Sequence, residues 1–206
     1  MPVNPEHHQF RSPLFQSVVK QALDFFFNTP VHPLPPDTLF RGVGVYAIYL
    51  TQHDNLYRVI ANPDLKRPIY VGKAVPIGWR TARTNELSSS LELNQRLREH
   101  ARSISQAQNL ELGDFRCRFV ILEDVEVDLV VPLEAELIRH TRPLWNTVID
   151  GFGNHDPGSG RYAQALSGWD VLHPGRTWAA KLMGAKPDIE VLSAKIKAFS
   201  DRLEPE

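Results

Sequence analysis

Cysteine is nearly missing from this chain: Cys117 is the one example among 206 residues. A single thiol excludes an internal disulfide and cannot by itself build a zinc site, so a reducing, cytoplasmic setting is the expectation. Long apolar runs are missing as well. No stretch approaches the length of a membrane span, and Met1 to Phe10 lack the basic-then-apolar order of a secretory leader. An excess of either charge is also missing: 23 Lys and Arg stand against 24 Asp and Glu. A protein that coats nucleic acid without specificity is therefore not expected. There is no internal repeat and no low-complexity tract. The eight histidines are scattered, without the spacing of His-Glu-x-x-His or of a Cys/His zinc site.

What is present is the composition of an ordinary globular protein, 42% hydrophobic and 23% charged, in a length suited to one domain. Its charge is unevenly placed. Lys66 to Arg102 is basic and Glu111 to Glu136 is acidic, which suits either a phosphate-binding face beside a metal-binding face or two differently solvated surfaces. Leu14, Val18, Val19, Ala22, Leu23 and Phe26 predict a helix over Pro13 to Asn28 with one buried face. The run Pro30-Val-His-Pro-Leu-Pro-Pro36 enforces an extended linker. Gly42 to Leu50 reads as a buried strand, and Pro68 to Gly72 as a second, shorter one. Leu93, Leu97, Ala101 and Ile104 form the stripe of a helix over Asn85 to Gln106. Phe115 to Leu122 alternates like a strand. Pro132 fits the first position of a helix that runs to His140 and stops before Pro143. Gly151 onward is Gly-rich and irregular until Ile189 to Leu203 recovers helical spacing. The centre thus reads β, β, α, β, α, with the two ends as attachments.

Several polar residues in that centre suit a common chemistry. Arg96 and His100 are four apart and share a helix face that borders the Leu93/Leu97 stripe. Two such groups side by side suit a phosphate whose charge grows during attack, although an isolated Arg-x-x-x-His reads equally as a solvated face. Glu134, early in its helix, could hold a hydrated Mg²⁺, which takes one or two carboxylates plus substrate oxygens and waters. Alone, it reads as a glutamate favoured by the helix dipole. Tyr46 and Tyr70 lie on neighbouring strands and, taken singly, read as core.

The order of these residues resembles a family. Gly44-Val45-Tyr46 and Tyr70-Val71-Gly72 look like the paired strand motifs of the GIY-YIG nucleases, with Val for Ile in both. Lys73 is similar to the lysine of the nucleotide-excision-repair branch. Arg96 and His100 match the helix pair of the homing and restriction branches. Glu134 resembles the metal-binding glutamate, and Asn146 the asparagine that follows it. The likeness covers about residues 42 to 147. It implies an α+β fold, a small mixed or antiparallel sheet flanked by helices, with the core at 41–147, an insertion at 74–94, an N-terminal helix and linker at 1–40 and a C-terminal extension at 148–206.

The resemblance implies hydrolysis of a DNA phosphodiester with one divalent ion, Mg²⁺ with Mn²⁺ able to substitute. Glu134 would hold the metal, Arg96 the scissile phosphate, and Tyr70 the water or phosphate. Tyr46 would take the water's proton, with Lys73 or His100 assisting, and which of Tyr46 and His100 is the base stays open. A phenol of pKa ~10 is about 0.1% ionised at pH 7, roughly 4 kcal/mol against it as a base, so a neighbour must lower that pKa or share the proton. Asn146 would fix a backbone turn or the phosphate. The commonest restriction-nuclease motif, Pro-Asp with a later Glu-x-Lys or Asp-x-Lys, is not formed here. There is no Glu-x-Lys, and Asp64-Leu65-Lys66 follows Pro63 with no strand between.

Alternatives are a catalytically silent DNA-binding module on the same fold, or a nicking enzyme of the repair or homing kind. Those enzymes carry further domains or a long linker with DNA-binding modules. The added sequence favours a type II restriction enzyme. Arg80 and Arg83 lie in the insertion, and Asn154, His155, Arg161, Asp170, His173 and Arg176 in the extension, where Arg, Asn, His and Asp in Gly-rich loops can read base edges. Structural turn chemistry explains those glycines equally well. The arrangement is similar to the small family members that cut the palindrome CCGCGG. It implies double-stranded DNA as substrate, a homodimer on a two-fold site, a companion DNA methyltransferase, and no membrane.

Overall fold

Eight consecutive buried residues, Val43 to Leu50, form the strand around which the rest is arranged. In the computed structural model, which describes residues 3–53, 55–76, 78–79 and 90–203, this strand pairs on both sides. The sheet consists of β1 (His32–Pro33), β2 (Val43–Leu50), β3 (Tyr70–Ala74) and β4 (Phe115–Leu122), in the order β1-β4-β2-β3. Every pairing is antiparallel. An antiparallel strand usually alternates apolar and polar residues, but β2 is apolar throughout because helices cover both faces.

Those helices are α1 (Pro13–Asn28), α2 (Glu92–Gln106) and α3 (Val130–Thr141). Tyr46, Ile48 and Leu50 pack with Leu93, Leu97, Ala101 and Ile104 of α2. Val43, Val45, Ala47 and Tyr49, alternating with them, pack with Leu23 and Phe26 of α1 and with Val130, Leu133 and Leu137 of α3. The period of two along β2 thus divides the interior into two halves. Among the described residues no helix is long and apolar enough to cross a membrane.

The expected elements occur, with shifted ends. Ser12 caps α1, its hydroxyl accepting from Phe15 N. Only Val19, Leu23 and Phe26 of that helix are buried, whereas Leu14 and Val18 are exposed, so the covered stripe is narrower than the apolar spacing implied. β3 begins at Tyr70, two residues later than expected. α2 begins at Glu92, and the first turns expected for it fall partly on residues 80–89, outside the described set. Pro132 is the third residue of α3, not the first, still within the turn whose N–H groups have no helical partner. Arg142, in the left-handed conformation, ends α3 by donating its N–H to Ile138 O at 2.8 Å. Pro143 then leads into the single turn of α4 (Leu144–Thr147).

The proline-rich segment is extended, as expected, and in addition contributes β1 to the sheet edge, where Pro33 needs no N–H. The larger departure is at the C-terminal end. It contains α5 (Gly168–Leu172), within a segment the sequence reads as irregular, and α6 (Ile189–Ser200). Phe152, Trp169, Leu172, Leu192 and Ile196 share the α2-side interior with Trp145 of α4. This extension is part of the core rather than an attachment to it.

Candidate active site

Tyr46 stands at the middle of β2 on the face toward α2. Its partner across the ladder is Gly72. A Cβ at position 72 would lie 2.4 Å from the Tyr46 hydroxyl, so glycine is what lets the ring lie across β3. The hydroxyl ends 2.6 Å from Nε2 of His100 on α2. Both groups are buried. Burial, reinforced by the charge of Arg96, holds the imidazole well below its ordinary value, so His100 is neutral. Burial and the neighbouring Tyr70 raise the phenol of Tyr46 well above 10, against an opposing pull from Arg96. A protonated phenol facing a neutral imidazole is satisfied when the Tyr46 O–H donates to Nε2 and the ring proton sits on Nδ1.

Tyr70 lies on the same face, its ring centroid 6.3 Å from that of Tyr46 and 5.2 Å from that of His100. Its phenol is also raised by burial, with Arg96 pulling it down and Glu134 pushing it up. Arg96, one helical turn before His100, donates from Nη2 to Gly153 O at 3.0 Å and from Nη1 to Glu99 Oε2 at 3.1 Å, and it touches His155. The guanidinium therefore sits at the mouth of the tyrosine pair, held by a loop of the C-terminal extension. Phe152 of that loop stacks on His100 with centroids 4.6 Å apart.

Lys73 pairs across the ladder with Val45, so its side chain leaves β3 on the face opposite Gly72. It forms an ion pair with Glu134 of α3. Of the two assistants expected for Tyr46, His100 is the one in contact with it; strand alternation turns Lys73 to the other face, and Arg96 is the cation that acts on the phenol. The Glu134 carboxylate nevertheless raises both Tyr46 and Tyr70, so its charge is felt across the thin edge strand. Among the described residues no cluster of three or more His, Cys, Asp or Glu side chains is placed to bind a metal. A lone carboxylate fits Mg²⁺, which draws most of its shell from phosphate oxygens and water.

Asn146 on α4 engages backbone. Its Oδ1 accepts from Val71 N and its Nδ2 donates to Val71 O, both at 2.8 Å. Of the two roles open to it in the sequence, this contact matches the backbone one, and it pins β3 between Tyr70 and Gly72.

The residues expected to read DNA divide into three groups. Asn154, His155 and Arg161 are exposed on the loop that reaches Arg96. Arg80 and Arg83 lie outside the described residues. Asp170, His173 and Arg176 are buried, which overturns their reading as base contacts, since a side chain sealed in the core cannot enter a groove. Asp170 and Arg176 pair with each other at 2.7 Å. His173 Nδ1 meets Asn109 Oδ1 at 2.8 Å, and its Nε2 meets the Tyr57 hydroxyl at 2.6 Å. The Tyr57 oxygen in turn accepts from Trp145 Nε1 at 3.1 Å. Burial, with the charges of His53 and Arg176, lowers His173 to about 3.

The sequence carries no direct sign of the loop carbonyl, Gly153 O, that holds Arg96. The only signal for the framework behind it was Ser167 three residues before Asp170, the spacing of a helix cap. Against known proteins, the model of the Eco29kI GIY-YIG domain matches residues 38–200, a span that takes in α5 and α6 as well as the central motifs. No curated protein matches the chain.

Proposed function

The chain belongs to the Eco29kI GIY-YIG domain family of restriction endonucleases, and on that premise we propose a type II enzyme that cuts both strands of DNA at a GC-rich palindrome such as CCGCGG. The observation that carries the mechanism is the buried 2.6 Å contact between Tyr46 and His100, with Tyr70 and Arg96 beside it and Glu134 across β3.

A water that attacks phosphorus must lose a proton. Tyr46 is poorly suited to act as a preformed phenolate, because burial raises its pKa. It is well suited to accept the water's proton while passing its own to the neutral imidazole of His100. No isolated charge then forms on the phenol. Arg96 binds the scissile phosphate through the donors of its guanidinium fork, and Tyr70 orients the water or a phosphate oxygen. Glu134 would hold one divalent ion, Mg²⁺ or in substitution Mn²⁺, which when bound supplies Lewis-acid stabilisation of the leaving 3′ oxygen and the phosphate charge. Lys73 balances the Glu134 carboxylate, and Asn146 keeps β3 in register beneath Tyr70. A palindromic site is met by a homodimer in which each subunit cuts one strand. A cell carrying this activity protects its own sites with a companion methyltransferase.

The test is incubation of the purified protein with phage DNA, in Mg²⁺ or in EDTA. Discrete Mg²⁺-dependent fragments are expected, and their ends give the site. A smear or nicked circles would replace this reading with a structure-directed nuclease, and uncut DNA would replace it with a silent binding module.

A further inference from the structure

Arg176 is a fully buried cation that follows the exposed loop residues of the site in the chain, and all three of its guanidinium nitrogens are hydrogen-bonded. Its Nε donates to Asp170 Oδ1 at 2.7 Å. Its Nη2 donates to Gly151 O at 2.9 Å, and Nη1 to Phe152 O at 3.1 Å and Asn154 O at 3.3 Å. The guanidinium also lies over Trp169 and Trp178, 4.5 and 4.6 Å from the ring centroids. Asp170 is fixed in turn by the Ser167 hydroxyl, which donates to Oδ2 at 2.7 Å.

Burying an ion pair is a weak route to stability, since apolar residues of similar volume often do as well or better. The fork of an arginine does something apolar residues cannot, which is to hold several acceptors in one plane at fixed spacing. Here those acceptors are three carbonyls of one short loop. The carbonyl between them, that of Gly153, accepts instead from Arg96 Nη2 at 3.0 Å. The conformation depends on Gly151, whose φ of +100° suits glycine and where a Cβ would lie 1.9 Å from Ser167 Oγ. Phe152, whose carbonyl is gripped, packs its ring on His100 and Tyr70.

We propose that Arg176, anchored by Asp170, is a positioning residue for cleavage: it grips the carbonyls of Gly151, Phe152 and Asn154 so that Gly153 O fixes Arg96 in its phosphate-binding orientation. This rests on the reading of Arg96 given above, and deepens it.

The test is Arg176→Lys, alone and combined with Arg96→Lys. Lysine keeps the charge but cannot span three carbonyls and a carboxylate. Three quantities are read: the single-turnover rate on phage DNA in Mg²⁺ at saturating enzyme, the affinity for the same DNA in EDTA, and the melting temperature. For Arg176→Lys the rate is expected to fall on the order of 10²-fold, the cost of misplacing a catalytic group by about 1 Å, with affinity held within about threefold. Because Arg176 acts through Arg96, adding Arg176→Lys to Arg96→Lys should lower the rate by less than about threefold more. Should Arg176→Lys fail to fold, Asp170→Asn carries the same test. It keeps an oxygen toward Nε, removes the charge that anchors the fork and replaces the oxygen that accepts from Ser167 with an NH2 donor, and the same rate loss and the same non-additivity are expected.

A folded variant that cleaves at the wild-type rate, or fully additive losses in the double variant, would overturn the positioning role while leaving the site intact. A wild-type rate for Arg96→Lys itself would instead overturn the reading of Arg96, and the inference with it.

Discussion

The coupling of Tyr46 to His100 predicts an unusual pH dependence. A tyrosine that worked as a preformed phenolate would gain about tenfold in rate per pH unit below its pKa, or roughly 10²-fold between pH 7 and 9. Burial lifts Tyr46 above its ordinary value, so that rise would persist over the whole accessible range. The pH dependence of proton transfer to His100 follows the fraction of imidazole that is neutral. His100 is held well below 6.5, so the acceptor is already neutral at pH 6.5, and raising the pH adds nothing. The single-turnover rate on phage DNA, with Mg²⁺ and saturating enzyme, should therefore change by less than about threefold from pH 6.5 to 9. Tyr46→Phe keeps the ring over Gly72 and removes the hydroxyl. It should lower the rate by about 10²–10⁴-fold, roughly 3–5 kcal/mol of barrier. It also leaves His100 Nε2 without its partner, a cost of about 1–3 kcal/mol in stability, so the assay is run well below the variant's melting temperature. A wild-type rate that climbs tenfold per unit up to pH 9, or Tyr46→Phe turnover within about threefold of wild type, would refute the relay.

Glu134→Ala should abolish cleavage of phage DNA while binding in EDTA persists, and a fully active variant would overturn the metal assignment. Gly72→Ala places a Cβ within 2.4 Å of the Tyr46 hydroxyl. Since alanine itself is tolerated in a strand, cleavage should fall by more than about tenfold in a folded protein, and an unchanged rate would mean the ring has room to shift. His173 has a folded pKa of about 3, below its ordinary unfolded value of about 6.5. The stability it contributes is therefore complete above pH 6.5 and lost as pH falls toward 3, about 2 kcal/mol of it by pH 5. Urea unfolding of wild type and His173→Gln at pH 7 and 5 should differ in pH dependence by that amount, and equal dependence in both would refute the assignment.

The central fold was legible because periodicity of two and of 3.6 is imposed by the backbone itself. β2, β4 and α1 could be placed from apolar spacing alone, and Arg96 and His100 could be put on one face. The side of the sheet taken by Lys73 was equally legible, since alternation from Gly72 sends it to the other face. Its position beside the motif suggested otherwise. Asp170, His173 and Arg176 were misread for a different reason. Polar residues between glycines and prolines look solvated, and their burial depends on partners distant or unremarkable in sequence: Ser167 for Asp170, Asn109 and Tyr57 for His173, and the carbonyls of Gly151, Phe152 and Asn154 for Arg176. A satisfied buried polar network leaves no periodic trace. Leu14 and Val18 show the converse, apolar residues at helical spacing that the fold leaves exposed.

The clamp that Asn146 places on β3 has a consequence for solubility and assembly. An outer strand offers unpaired N–H and C=O groups to any passing chain, which is how sheets fuse into aggregates. Here Asn146 occupies both groups of Val71, and Trp145 N donates to Ile69 O at 2.9 Å. Those groups at the β3 edge are thus unavailable to a further strand. At the other side the sheet ends in a two-residue strand containing a proline. Among the described residues, then, neither edge of the sheet offers a long free ladder to another chain.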